Sequence, residues 1–199
     1  MQTRRGRLFN ILVEAACLAP LAVLVWALVA KHLGPDWVGE ATRRMGRYAL
    51  TFLILSLVPG AIQRLSGWNG ILWLRRTLGL YAFKYACLHL LVVVGIDYRF
   101  NFNLLAGDLP HSPFILVGLA ALFLLAPLAI TSTRDWMRRL GKNWRRLHRL
   151  VYVAAPVAVW HYAWRAKEVR PRSFWIFGVL ASLLLVRLLP LGRLRRGRT

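Results

Sequence analysis

TLGLYAFKYACLHLLVVVGI, residues 77–96, is a twenty-residue run whose only basic side chains are Lys84 and His89. At 1.5 Å per residue such a helix is about 30 Å long, the thickness of a bilayer's hydrocarbon core. A second run, LHRLVYVAAPVAVWHYAW at 147–164, carries His161 near its far end. An ionisable side chain inside a membrane span is costly and marks a functional site by default. Two imidazoles on separate spans can hold one metal or haem iron between facing helices. Their depths also match. If both helices begin at the same face, His89 lies twelve residues in and His161 fourteen, or about 18 and 21 Å. Both rings then sit at nearly one level, in the far half of the bilayer.

The rest of the chain fits a membrane setting. It has 199 residues, 58% of them hydrophobic, and a mean hydropathy of +0.48, too apolar for a soluble domain of this length. The formal charge of +21 comes from 28 basic and 7 acidic residues. The basic residues cluster between apolar runs, which fits membrane orientation and anionic lipid and argues against nucleic acid as the partner. Cys17 and Cys87 both fall in apolar stretches without CxxC or zinc-ligand spacing, and read as buried free thiols. Arg4, Arg5 and Arg7 precede an apolar run that is too long for a cleaved leader and reads as a retained first span.

Six spans are predicted: Leu8–Ala30, Tyr48–Ile62, Thr77–Ile96, Phe114–Thr131, Leu147–Trp164 and Phe174–Leu191. The second is short and extends toward Arg47. No internal repeat or separate soluble domain is visible, so residues 1–199 read as one all-α domain, a six-transmembrane-helix bundle. Lys and Arg in alternate connecting segments divide 17 to 9 in favour of the side holding both termini. The termini are therefore expected in the cytoplasm, with His89 and His161 toward the outer face. Within Thr133–Arg146, Trp136, Leu140, Trp144 and Leu147 recur at helical spacing among basic residues. This reads either as an interfacial helix broken at Gly141 or as a basic loop serving topology.

Zinc needs three or four ligands, usually with Cys or carboxylate among them. The spans offer one carboxylate, Glu14, so a bis-imidazole haem is the better match for His89 and His161. The absence of CxxCH makes that haem non-covalent. His148 is a third candidate, thirteen residues before His161 and about 20 Å away along the helix. On an ideal helix the two rings differ by about 140° in rotation, and Pro156 between them can kink the helix. Fourteen residues before His89 stands Arg75. His148 therefore binds an inner haem with an unusual partner, contacts a haem propionate, or anchors the interface. Glu14 and Lys84 read as buried in their spans, with Lys84 snorkelling or pairing. His32 and His111 read as solvated loop residues. No phosphate loop, nucleophile elbow or catalytic carboxylate pair is present, so no residue is assigned a catalytic role.

Arg75-Arg76-Thr77-Leu78-Gly79-Leu80-Tyr81 leading to His89, Leu128-Ala129-Ile130-Thr131-Ser132, and the tract from Leu140 through His148 to Tyr152 with His161-Tyr162 following resemble the MsrQ (YedZ) family. The resemblance covers nearly the whole chain. It implies an inner-membrane b-type cytochrome, the haem-binding subunit of a bacterial periplasmic methionine sulfoxide reductase system. It further implies electrons drawn from the quinone pool, FMN as an associated flavin, and delivery to a periplasmic molybdenum subunit, MsrP. The wider ferric-reductase-like group, with NADPH oxidases among its members, holds two haems with two His on each of the third and fifth helices. This chain matches that pattern at His89, His148 and His161 and has Arg75 at the fourth position.

The residues and the resemblance agree on electron transfer, with one or two haems b and the reduction itself on the partner. Three alternatives come from other readings. One is a ferric-reductase-type carrier with another donor or acceptor. Another is a proton-coupled transporter using Glu14, Lys84 and the histidines, against which stand the lack of repeats and the scarcity of midplane helix breakers. The last is a cofactor-free membrane anchor.

Overall fold

The computed structural model describes residues 4–165 and 171–188, and among these all regular structure is helical. The long elements are α1 (Arg4–Val29), α2 (Trp37–Ser66), α3 (Leu72–Val92), α5 (Pro113–Ile130), α8 (Val151–Arg165) and α9 (Pro171–Leu188). Short helices join them: α4 (Phe102–Asp108), α6 (Arg134–Leu140) and α7 (Lys142–Leu147). Four stretches are long and apolar enough to cross a membrane: Leu8–Val29, Trp37–Ser66, Leu72–Asp97 and Pro113–Ile130. Trp175–Arg187 is a shorter apolar helix. Residues 189–191 of the predicted sixth span lie outside the described residues.

Three of the predicted elements change shape. The second span is Trp37–Ser66, thirty residues instead of the fifteen of Tyr48–Ile62. Its first third is charged and reads as a loop by hydropathy. Local pairing makes it helical instead: the Asp36 carboxylate accepts from Gly39 N–H, and Glu40 takes Arg44 at 2.7 Å and Arg43 at 3.1 Å one turn on. At its other end Gly67, at φ +77°, caps the helix by donating its N–H to Gln63 O. The third span ends in a π-helical turn, Val93–Asp97. The fifth begins with a 3-10 turn, His148–Leu150, before the fifteen residues of α8. The ideal-helix rotation of about 140° between His148 and His161 therefore does not carry over, since a 3-10 turn advances three residues per turn.

The interior packs chiefly α2 on α3 and α5 on α8. Ala82, Ala154 and Ala155 are fully buried, and such small residues let helix backbones approach closely in a membrane bundle. Tyr85 ties α1 to this pair. Its hydroxyl donates to Cys17 O at 2.8 Å and accepts from Leu21 N–H at 3.2 Å. It thus bridges the helical ladder beside Pro20, where an in-helix proline disturbs the bonding. Its ring stacks on Phe52 at 5.3 Å.

The segment after α5 is two short helices broken at Gly141, whose φ of +51° suits a residue without a Cβ. Trp144 Nε1–H donates to Thr131 O at 2.9 Å. This bond pins α7 under the end of α5 and fixes the approach to His148.

Candidate functional site

His89 on α3 and His161 on α8 face each other with ring centroids 6.2 Å apart and ring planes at 75°. His89 Nδ1 bonds Thr42 O on α2 at 3.0 Å, and His161 Nδ1 bonds Phe114 O on α5 at 2.7 Å. A carbonyl has no proton to give, so each Nδ1 carries the hydrogen. That tautomer assigns metal coordination to Nε2 in both rings and holds each ring by a backbone group rather than a movable side chain.

The two halves of this arrangement repeat. Each histidine lies 47 residues beyond the carbonyl it binds. Four residues after each carbonyl stands a glycine against the same ring. A Cβ at Gly46 would lie 3.3 Å from His89 Cε1, and one at Gly118 only 2.6 Å from His161 Cε1. Thr42 and Phe114, Gly46 and Gly118, His89 and His161 are each separated by 72 residues. The sequence showed no repeat, but the site is built from two copies of one device: carbonyl, glycine one turn on, histidine from the neighbouring helix. Carbonyls and missing side chains carry no residue-type signal. The common 72-residue offset of His and Gly is the one trace that pointed to them.

The donor set fits haem better than a bare metal ion. Among the described residues no three or more of His, Cys, Asp and Glu are grouped to hold a metal, so two imidazoles need a macrocycle to complete six-coordination. An iron with nitrogens at about 2 Å on either side separates imidazole centroids by about 6 Å, close to the spacing present. The Thr42 hydroxyl is buried without a hydrogen-bond partner among the described residues, a polar orphan at the level of this pair.

A second, incomplete constellation lies near the other end of α8. His148 Nδ1 bonds Trp144 O at 3.2 Å, its ring stacks on Trp144 at 4.0 Å, and its Nε2 is buried without a partner among the described residues. It is again tied through Nδ1 to a backbone carbonyl. Arg75 on α3 lies close enough for its charge to act on His148. No second imidazole faces His148 among the described residues, and no hydrogen bond or ring contact joins it to Arg75 there. If an inner haem is held at His148, His148→Ala lowers the haem-to-protein ratio by up to half and leaves the signal of the haem expected between His89 and His161 intact; unchanged haem content would make His148 an interface anchor. Complete loss of haem would make His148 a ligand of a single shared haem.

Three readings of span residues change. Glu14, Lys84 and Cys87 are exposed on the isolated chain, while Cys17 is buried. Sequence gives depth along a helix but not which way a residue faces, and these three face outward. Lys84 caps the Tyr81 ring at 4.5 Å. His32 and His111 are exposed.

Comparison with known proteins gives concordant results. Residues 45–159 match the family described as ferric reductase like transmembrane component. The chain is 44% identical over 193 residues to the protein-methionine-sulfoxide reductase heme-binding subunit MsrQ of Rhodospirillum rubrum, covering 96% of this chain and 93% of the relative. Subunits of the same name are 43% identical in Xanthomonas euvesicatoria (87% of this chain, 82% of the relative) and 40% identical in Caulobacter vibrioides (88% and 84%). No solved structure matches the chain.

Proposed function

The chain belongs to the MsrQ family of heme-binding subunits, within the ferric-reductase-like transmembrane proteins, and on that premise we propose that it is a b-type cytochrome of the bacterial inner membrane. It carries electrons from the quinone pool to a periplasmic MsrP-type molybdenum subunit, which reduces methionine sulfoxide in oxidised proteins. FMN joins this proposal from the family alone. The observation that carries the reading is the opposed His89–His161 pair, each ring tied through Nδ1 to a helix carbonyl.

When bound, haem b supplies reversible one-electron chemistry. The chain's own work is positional. Thr42 O and Phe114 O fix the tautomer and angle of each imidazole. Gly46 and Gly118 bring two helix backbones against the rings. His89 and His161 are the residues that would hold the haem, and with both imidazoles engaged it would serve electron transfer rather than oxygen binding.

The purified protein should show the absorption of low-spin, six-coordinate haem b, released on denaturation. Near-perpendicular imidazole planes at 75° should give the highly anisotropic low-spin paramagnetic signal with one large g value. A colourless preparation from haem-sufficient cells rejects the cytochrome reading. A rhombic signal typical of parallel rings rejects the ring geometry only.

Residues 1–199 are proposed to form one domain of six spans with both termini in the cytoplasm, from the 17-to-9 division of basic residues. A reporter fused after Thr199 should be active only if it requires the cytoplasm. Activity of a periplasmic reporter there would invert the topology and place the His89–His161 pair at the inner face.

A further inference from the structure

Two charges of opposite sign face outward from the apolar part of the bundle and are unused by the electron-transfer reading. Glu14 on α1 and Lys84 on α3 lie within Leu8–Val29 and Leu72–Asp97, stretches long and apolar enough to cross a membrane, and both are exposed. A charged side chain turned toward hydrocarbon is costly, and such residues as a rule face a protein interior or an opposite charge. A face that presents two of them outward from one chain is expected to be covered in an assembly.

The contacts between α1 and α3 place the two charges near one depth. The Phe9 and Trp73 rings meet edge-on with centroids 5.6 Å apart, and Leu21 N–H donates to the Tyr85 hydroxyl at 3.2 Å. Both contacts join residues 64 apart, so the two helices run parallel in one register. On that register Glu14 is level with Leu78. Lys84 starts six residues further along, about 9 Å. Its ammonium, however, sits 4.5 Å from the centroid of the Tyr81 ring, folded back toward the level of Glu14 as helical side chains lean. Turning about 100° per residue from the residues in contact, both side chains project to the same side of the α1–α3 seam. The surface around them is apolar: Ile11, Leu18 and Val25 on α1 and Leu91 on α3 are 48–61% exposed.

We propose that this α1–α3 face is an interface between two copies of the chain, related by a two-fold axis along the membrane normal, with Glu14 of each copy against Lys84 of the other. Such an interface brings one patch against itself, so that each residue's contact is repeated with the roles exchanged. A patch of one sign would repel its own copy. This patch carries both signs side by side, and is complementary to itself. Rotation about the membrane normal preserves depth, so each charge meets its opposite at its own level. Away from water the attraction is little screened, and the apolar residues around the two charges supply the packing on which helix association in lipid rests. The proposal does not depend on the cytochrome reading.

The test uses the full chain in two differently tagged versions, co-expressed and copurified from membranes. Wild type should copurify with wild type. Glu14→Lys with itself, and Lys84→Glu with itself, should each recover about tenfold less of the second tag, because two like-charge contacts replace two ion pairs. Glu14→Lys co-expressed with Lys84→Glu should copurify as wild type does. In that mixture one chain carries Lys at both positions and the other Glu at both, so opposite charges meet only between chains. A Glu14–Lys84 pair within one chain would leave the mixture as poor as either variant alone, and that result overturns the proposal. So does wild type that recovers no second tag, or single variants that associate as wild type does. Should the charge-reversed chains fail to accumulate, Glu14→Cys and Lys84→Cys, each in a Cys17→Ser, Cys87→Ser background, give a second reading. A short bismaleimide applied to membranes should join the mixed chains as a dimer and neither variant expressed alone; absence of that dimer overturns the proposal.

Discussion

His161→Ala or His89→Ala, each made singly, should remove the low-spin signal of the haem proposed between the two rings, and with it the proposed electron delivery. The expected loss of haem affinity exceeds the 10- to 100-fold typical for removing an outer-shell partner of a metal ligand, because here an axial ligand itself is gone. The two rings lie opposite each other at 6.2 Å, so neither can move across to do the work of both. Truncation also leaves a void beside Gly46 or Gly118, and a general loss of packing could drive haem out on its own. Added imidazole separates these cases. It refills the void and restores the ligand without the backbone tether, so the low-spin spectrum returns if the lost side chain is the axial ligand. A variant that keeps the wild-type spectrum without imidazole shows that its histidine is not a ligand.

What the sequence made legible is the part of the site that depends on depth. His89 and His161 stand at matched distances along two apolar runs, and rise per residue alone places them level. The facing of each residue was hidden. Glu14, Lys84 and Cys87 were assigned to the interior because their neighbours are apolar in sequence, yet they face outward. The first third of α2 is hidden for a different reason. Asp36, Glu40, Arg43 and Arg44 look like a solvated loop by hydropathy, but they pair with one another along a helix. Thr42 then belongs to a helix, and its carbonyl becomes available to His89. The missed boundary and the missed hydrogen bond are the same error.

The two copies of the carbonyl–glycine–histidine device make opposite forecasts for one substitution. Gly118→Ala should be the more damaging of the two glycine changes. A methyl there would sit 2.6, 2.8 and 3.0 Å from three atoms of the His161 ring, well inside van der Waals contact. The ring cannot yield by rotating, because its Nδ1 donates at 2.7 Å to Phe114 O, one turn before Gly118 on α5. Either that bond breaks or α5 and α8 separate, and overpacking of this kind typically costs about 1–3 kcal/mol. The ring swings off the axis it shares with His89, so the low-spin haem signal should fall sharply or become five-coordinate. Gly46→Ala meets His89 at 3.3 Å, a contact relieved by a shift of a few tenths of an ångström. That variant should keep its haem and show only a change in midpoint potential or in the anisotropy of its low-spin signal. Haem content, visible spectra and paramagnetic resonance of the two variants decide the matter. Equal tolerance at both positions would mean that the rings are not clamped against the helix backbones, and that Thr42 O and Phe114 O do not set their orientation.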